Sequence, residues 1–258
     1  MRTPFLLVFS LLLLAGCSTM KQPVRVGMLV DEGATDPKSR EAAWNVVAAT
    51  PDFVARRVTG EEVRAGVLAE LDVFILPGGT GSGEARALGI DGARAVKQFV
   101  GGGNGLIAIC AGGYAIVEGW TPETKELELL NGQTWDDAHW ARGMDFITVE
   151  MADGQAARHT MWFENGPLFV PWERPDLPAY TPLVRYVTDM AAEGAPTGMM
   201  TGRDAVVAAP YGDGRLVAFG PHPELSPGLE HWLRNAVRWA AHGNAAEPIT
   251  AAVVLEGR

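Results

Sequence analysis

Cysteine is scarce: this 258-residue chain has two, Cys17 and Cys110. So few thiols exclude a disulfide-stapled scaffold, and 47% hydrophobic content supplies an ordinary core instead. Basic runs are missing as well. With 31 acidic against 21 basic residues the formal charge is −10, which gives no electrostatic footing for nucleic acid. No internal repeat is visible, and the length suits one α/β domain with insertions. The apolar run Phe5 to Leu14 is too short for an ordinary membrane-spanning helix. No Lys-Ser/Thr pair follows the glycine cluster Gly78 to Gly83, so a tight turn is read there rather than a phosphate loop. Asp136, Asp137, His139 and His159 fit no metal-ligand spacing, and neither a metal nor another cofactor is expected.

What is present begins at the N-terminus. Met1-Arg2 is a short basic start, Phe5 to Leu14 is apolar, and small residues follow, the order of a secretory signal segment. Leu14-Ala15-Gly16-Cys17 resembles the lipobox of bacterial lipoproteins. By that resemblance residues 1–16 are removed and Cys17 becomes the lipid-modified end. Ser18 then directs the protein to the outer membrane of the cell envelope, facing the periplasm. Residues 17–23 read as a linker, 24–242 as the folded domain and 243–258 as a C-terminal tail. With Cys17 assigned to lipid, Cys110 has no disulfide partner. It then reads as a lone reactive thiol, the alternative being a small buried apolar side chain.

Four apolar runs of strand length appear in the first half: Val24 to Val30, Phe53 to Val58, Asp72 to Leu76 and Leu106 to Ile109. Helical spacing of apolar residues lies between them, over Lys38 to Ala49, Glu61 to Leu71, a turn at Glu84 to Leu88, and Ala93 to Val100. Continuous apolar strands alternating with helices predict a parallel sheet covered on both faces. Residues 120–200 are rich in Trp, Pro and Gly, with short candidate strands such as Phe146 to Met151. A hairpin is predicted around Tyr211-Gly212-Asp213-Gly214. Ser226-Pro227 reads as the cap and first residue of a helix running to Gly243. The last fifteen residues carry no strong signal.

Ligands of parallel sheets bind beyond the carboxyl ends of the strands, where Gly78-Gly79 and Cys110 both fall. A strand breaking directly into a helix holds the intervening side chain out, and its neighbours must be small; Ala111, Gly112 and Gly113 meet that need. The helix start also offers free N–H groups that favour a thiolate. A cysteine nucleophile needs a base. Of five histidines, His222 is best placed, between two prolines after a strand, with Glu224 two residues on.

Leu76-Pro77-Gly78-Gly79, Ile109-Cys110-Ala111-Gly112 and Pro221-His222-Pro223-Glu224 together resemble the three signature segments of class I glutamine amidotransferase-like domains. Cys110-Ala111-Gly112-Gly113-Tyr114 and Trp162-Phe163-Glu164-Asn165-Gly166-Pro167 are similar to segments of the biotin–protein ligase N-terminal domain-like branch. The resemblance implies a flavodoxin-like, doubly wound fold with a Trp- and Pro-rich insertion after the nucleophile helix. It implies a triad of Cys110, His222 and Glu224, oxyanion amides at Gly79 and Ala111, and substrate contacts at Gly78, Tyr114, Glu164 and Asn165. The reaction implied is attack on a small-molecule or peptide-like amide through a thioester, ending in hydrolysis or acyl transfer. Glutaminases of this class carry Gln where this chain has Tyr114, and no synthase or ligase domain is attached. A second reading is a non-catalytic envelope module binding a ligand or partner at the same cleft.

Overall fold

The computed structural model describes residues 22–154, 157–192, 194–242 and 248–258; the stretch read as a signal segment, Cys17 and Gly243 lie outside them. Val24–Leu29 (β1) leads into Pro37–Ala48 (α1). The helix starts there because the Asp36 side chain accepts from Ser39 N–H and Pro37 occupies the first turn. Phe53–Val58 (β2) is followed by Gly60–Arg64 (α2), which opens on a reciprocal Thr59–Glu62 capping box. The helix expected over 61–71 stops early. Gly66 adopts φ 97°, and Val67–Glu70 continues as a 3-10 turn. Val73–Leu76 (β3) precedes Gly81–Gly101 (α3), which joins both helical stretches read in the sequence across a kink at Gly89. Gly105–Ile109 (β4) then breaks into Ala111–Ile116 (α4), and Pro122–Glu126 (α5) follows.

The insertion consists of strands: Gly132–Thr134 (β5), Met144–Met151 (β6), Arg158–Glu164 (β7), Phe169–Pro171 (β8) and Thr181–Tyr186 (β9). Asp204–Tyr211 (β10) and Gly214–Phe219 (β11) form the expected hairpin, and Glu230–Ala241 (α6) and Ala251–Val254 (α7) close the chain.

The main sheet runs β2-β1-β3-β4-β11-β10-β9-β6-β7. The first five are joined by parallel pairings and the rest by antiparallel ones. Order 2-1-3-4 with a fifth parallel strand is the flavodoxin-like arrangement. One core packs α1 and α6 on one face, through Ala43, Val47, Trp232 and Leu233; the other packs α3 and α4 on the opposite face, through Leu88, Val96 and Ile116. Hence the near-continuous burial of β3, β4 and β11. No helix among the described residues is long and apolar enough to cross a membrane.

Two expectations need correction. Ser226 does not cap α6, which begins at Glu230; its hydroxyl is taken by the neighbouring chain instead, donating to His222 O at 2.5 Å and accepting from Trp162 N–H at 2.9 Å. The segment after residue 247 is no loose tail. Ala251, Val254 and Leu255 are buried in the α6 core, and Thr250 caps their short helix.

Candidate active site

Cys110 sits between β4 and α4 with φ 50° and ψ −102°, a conformation of about 1–3 kcal/mol that persists only where surroundings enforce it. Its N–H donates to Phe219 O at 2.7 Å, fixing it to the end of β11. Gly112 N–H donates to Pro77 O, tying the turn to the end of β3. A Cβ on Gly112 would lie 2.5 Å from Leu76 O, so the small residue read at that position is obligatory. On the neighbouring strand end, Thr80 N–H donates to Ala34 O and Asp36 N–H to Gly78 O, flanking the Thr35–Gly79 bridge. In such a pair the central amide points away from the ladder, which leaves the Gly79 N–H outside it.

His222 and Glu224 come together as expected, though Pro223–Leu225 form a 3-10 turn rather than an extended segment. His222 Nδ1 lies 2.7 Å from Glu224 Oε1. The same oxygen accepts from Ser39 Oγ at 2.7 Å, and Ser39 Oγ accepts from Gly78 N–H at 3.0 Å. One buried row therefore links the turn after β3, helix α1, the carboxylate and the imidazole. Burial alone pushes the His222 pKa down. The Glu224 charge and the Cys110 sulfur, through charge and hydrogen bonding, outweigh it and hold the ring well above its ordinary value. His222 Nε2 nevertheless has no well-aligned partner among the described residues, because the thiol donates to Glu164 O at 3.3 Å.

That carbonyl belongs to a roof over the site. Tyr114 OH donates to Asn165 O at 3.2 Å, and Tyr186 OH to Pro167 O at 2.9 Å. Burial, with the Cys110 charge next, raises the pKa of Tyr114 strongly; burial does the same for Tyr186, so both phenols stay neutral. Asn165, at φ 52°, turns its side chain outward to accept from Gly143 N–H. The Glu164 carboxylate accepts from Trp162 Nε1 and faces Lys38, whose ammonium lies over the Trp162 ring. Glu164, Asn165 and Tyr114 are thus gathered at Cys110, contributing backbone oxygens and a phenol to the roof. Cys110 is only 7% exposed beneath it. A cavity of about 520 Å³ lies alongside, lined by residues 32–37, Arg40, Gly79 and Thr80. It opens between the ends of β1 and β3, where this strand order reverses and where such sheets take ligands. Of the other singled-out residues, Asp136 pairs with Arg142 and His139, and His159 packs on Trp232.

No family model and no curated protein matches the chain. Solved structures do. A putative ThuA-like protein from Bacteroides uniformis aligns with TM-score 0.56 and 14% identity, over 88% of this chain and 95% of its own. The fold is the one such ThuA-like proteins share. Another, from Parabacteroides merdae, gives 0.52 and 12% over 88% and 93%. A catalytic mutant of Gan42B, a GH42 β-galactosidase from G. stearothermophilus, gives 0.50 and 15%, covering 78% of this chain and 28% of that one. This chain therefore spans under a third of that galactosidase, and at these identities the likeness is one of fold.

Ser39 and Glu84 escaped the sequence reading. Ser39 shares a buried helix face with Ala43 and Val47, and a serine at an apolar position was its only signal. Glu84 was similarly marked, one helical turn before the buried Leu88.

Proposed function

We propose that the chain is a cysteine-dependent amide hydrolase or acyl transferase of the class I amidotransferase type. The observation that carries this reading is the buried Ser39–Glu224–His222 row ending beside a strained strand-end sulfur. In the reaction, Cys110 Sγ attacks the amide or ester carbon, and the carbonyl electron pair moves onto oxygen, received by the Gly79 and Ala111 amides. Collapse expels the amine or alcohol, which takes a proton from His222, leaving a thioester. His222 then deprotonates water or an amine acceptor, the thiolate leaves, and Glu224 holds the imidazole in register throughout. Tyr114 at the position of the glutaminase Gln points away from glutamine and toward another small-molecule or peptide-like amide. The scheme requires no cofactor.

Cys17, read as a lipid anchor, places this chemistry at the periplasmic side of the outer membrane. Labelled palmitate entering the wild type but not Cys17→Ala is the expected result; label in both variants would remove the anchor.

Intact-mass spectrometry during incubation with a p-nitrophenyl ester tests the reaction. An acyl group appears on Cys110 and is lost again in the wild type, while Cys110→Ala shows neither event and His222→Ala acylates far more slowly. One observation favours a non-catalytic binding module: the sulfur is covered and engaged with Glu164 O. An acyl group that never forms, or forms and stays, would decide for that module.

A further inference from the structure

Glu84 is fully buried, and neither carboxyl oxygen has a hydrogen-bond partner among the described residues. A buried carboxyl without a partner is strongly penalised when charged and much less so when protonated, and strongly perturbed acids cluster at functional sites. Its position explains its value. Glu84 lies in the first turn of α3. Gly81, three residues earlier and so on the same helix face, is packed so closely on α4 that a Cβ there would lie 2.9 Å from both Ala111 O and Tyr114 Cβ. Glu84 therefore faces the start of the helix that Cys110 opens, on the sheet face opposite Ser39 and His222. Burial first, then the Cys110 charge, raises its pKa well above the usual carboxyl range.

Resting on the nucleophile reading above, we propose that Glu84 is a protonated acid that positions and tunes the Cys110 sulfur, placing the nucleophile between an imidazolium on one face and an uncharged carboxyl on the other. A neutral carboxyl can turn its O–H toward an anionic sulfur; an ionised one repels it. The surrounding ionisable groups leave this pairing clear. Tyr114 on α4 is neutral, with its hydroxyl on Asn165 O. Arg64 on α2 is spent on the carbonyls of Ala87 and Leu88. Glu126 on α5 pairs with Arg94 at the surface, and Asp91 also faces Arg94. On the far side of the sulfur stand His222 and Glu224, with Tyr186 neutral and the Glu164 carboxylate turned to Trp162 and Lys38.

The test is the pH profile of Cys110 alkylation by iodoacetamide in the full chain. Wild type should show the inflection of the sulfur–imidazole pair and a second, more alkaline one where Glu84 loses its proton. Glu84→Gln, which keeps a neutral donor, should match wild type near neutrality and lose the second inflection. Glu84→Leu, which removes the polar group, should alkylate about tenfold more slowly, the loss of a neutral dipole that can orient toward the charged sulfur. Identical profiles for all three would overturn the proposal. Should either variant fail to fold, infrared spectra of the wild type replace it. A protonated-carboxyl C=O band at neutral pH that shifts when Cys110 is alkylated supports the proposal, and its absence or indifference to alkylation overturns it. His222→Ala separates the two ideas. If that variant alkylates like wild type while the carboxyl band still shifts, the triad fails and the Glu84 coupling stands.

Discussion

Replacing Ser39 by alanine removes one oxygen and breaks two buried hydrogen bonds. Gly78 N–H loses its acceptor at 3.0 Å, and Glu224 Oε1 loses a donor at 2.7 Å. An orphaned buried N–H costs about 1–3 kcal/mol and a hydrogen bond to a charged group about 1.5–3 kcal/mol. The two losses share an atom and relax together, so about 2–4 kcal/mol is expected for Ser39→Ala. Chemical unfolding of wild type, Ser39→Ala, Glu224→Gln and the double variant measures it. The midpoint should fall with an unchanged denaturant slope, and the cycle should show a coupling of about 1–2 kcal/mol between the sites. Alkylation of Cys110 in Ser39→Ala should move toward that of His222→Ala, because Glu224 is freed to turn from the imidazole. A loss under about 0.5 kcal/mol with additive effects would refute the claim that Ser39 joins the strand-end turn to the carboxylate.

Three further outcomes follow from the same geometry. Cys110→Gly should be more stable than Cys110→Ala by about 1 kcal/mol, since relief of strain at φ 50° exceeds the entropy that glycine adds to the unfolded chain; calorimetry of both variants checks it. Gly166→Ala puts a Cβ 1.9 Å from Gly220 O, a backbone atom, so the roof must shift; about 3 kcal/mol of stability should be lost and Cys110 should alkylate faster, and an unchanged rate would contradict the covering role of residues 164–167. Glu84 binds its proton more tightly folded than unfolded, so the stability it contributes is complete below the ordinary carboxyl value of 4.5 and is lost as pH rises toward its folded pKa. Unfolding of Glu84→Gln from pH 5 to 8 should gain on wild type by about 1.4 kcal/mol per pH unit until that pKa is passed.

The parallel half of the sheet was legible because its strands are buried on both faces and read as unbroken apolar runs; β2 spans the predicted residues without change. The insertion was less so. Strands such as β6 are exposed at one end and alternate between buried and half-buried at the other, a pattern that composition blurs. Side chains with two credible uses misled as well. Ser226 has the chemistry of a helix cap, and only the approach of β7 assigns it to Trp162 and His222. The Cys110, His222 and Glu224 set was readable because each residue sits in a local turn with its own signature. Ser39 is 185 positions from the carboxylate it contacts, and no local pattern could join them.

The outermost strand of the sheet gives this arrangement a second meaning. β7 is last in the order, so its outer backbone row would ordinarily stand open to another strand. At Trp162 that row is occupied: His222 N–H donates to Trp162 O at 2.8 Å, and Ser226 Oγ bridges Trp162 N–H to His222 O. The loop that presents the imidazole also plugs the edge. A displaced loop would carry the imidazole away from Cys110 and at once uncover unpaired backbone groups at Trp162, so the same few backbone atoms position the candidate base and close the sheet edge.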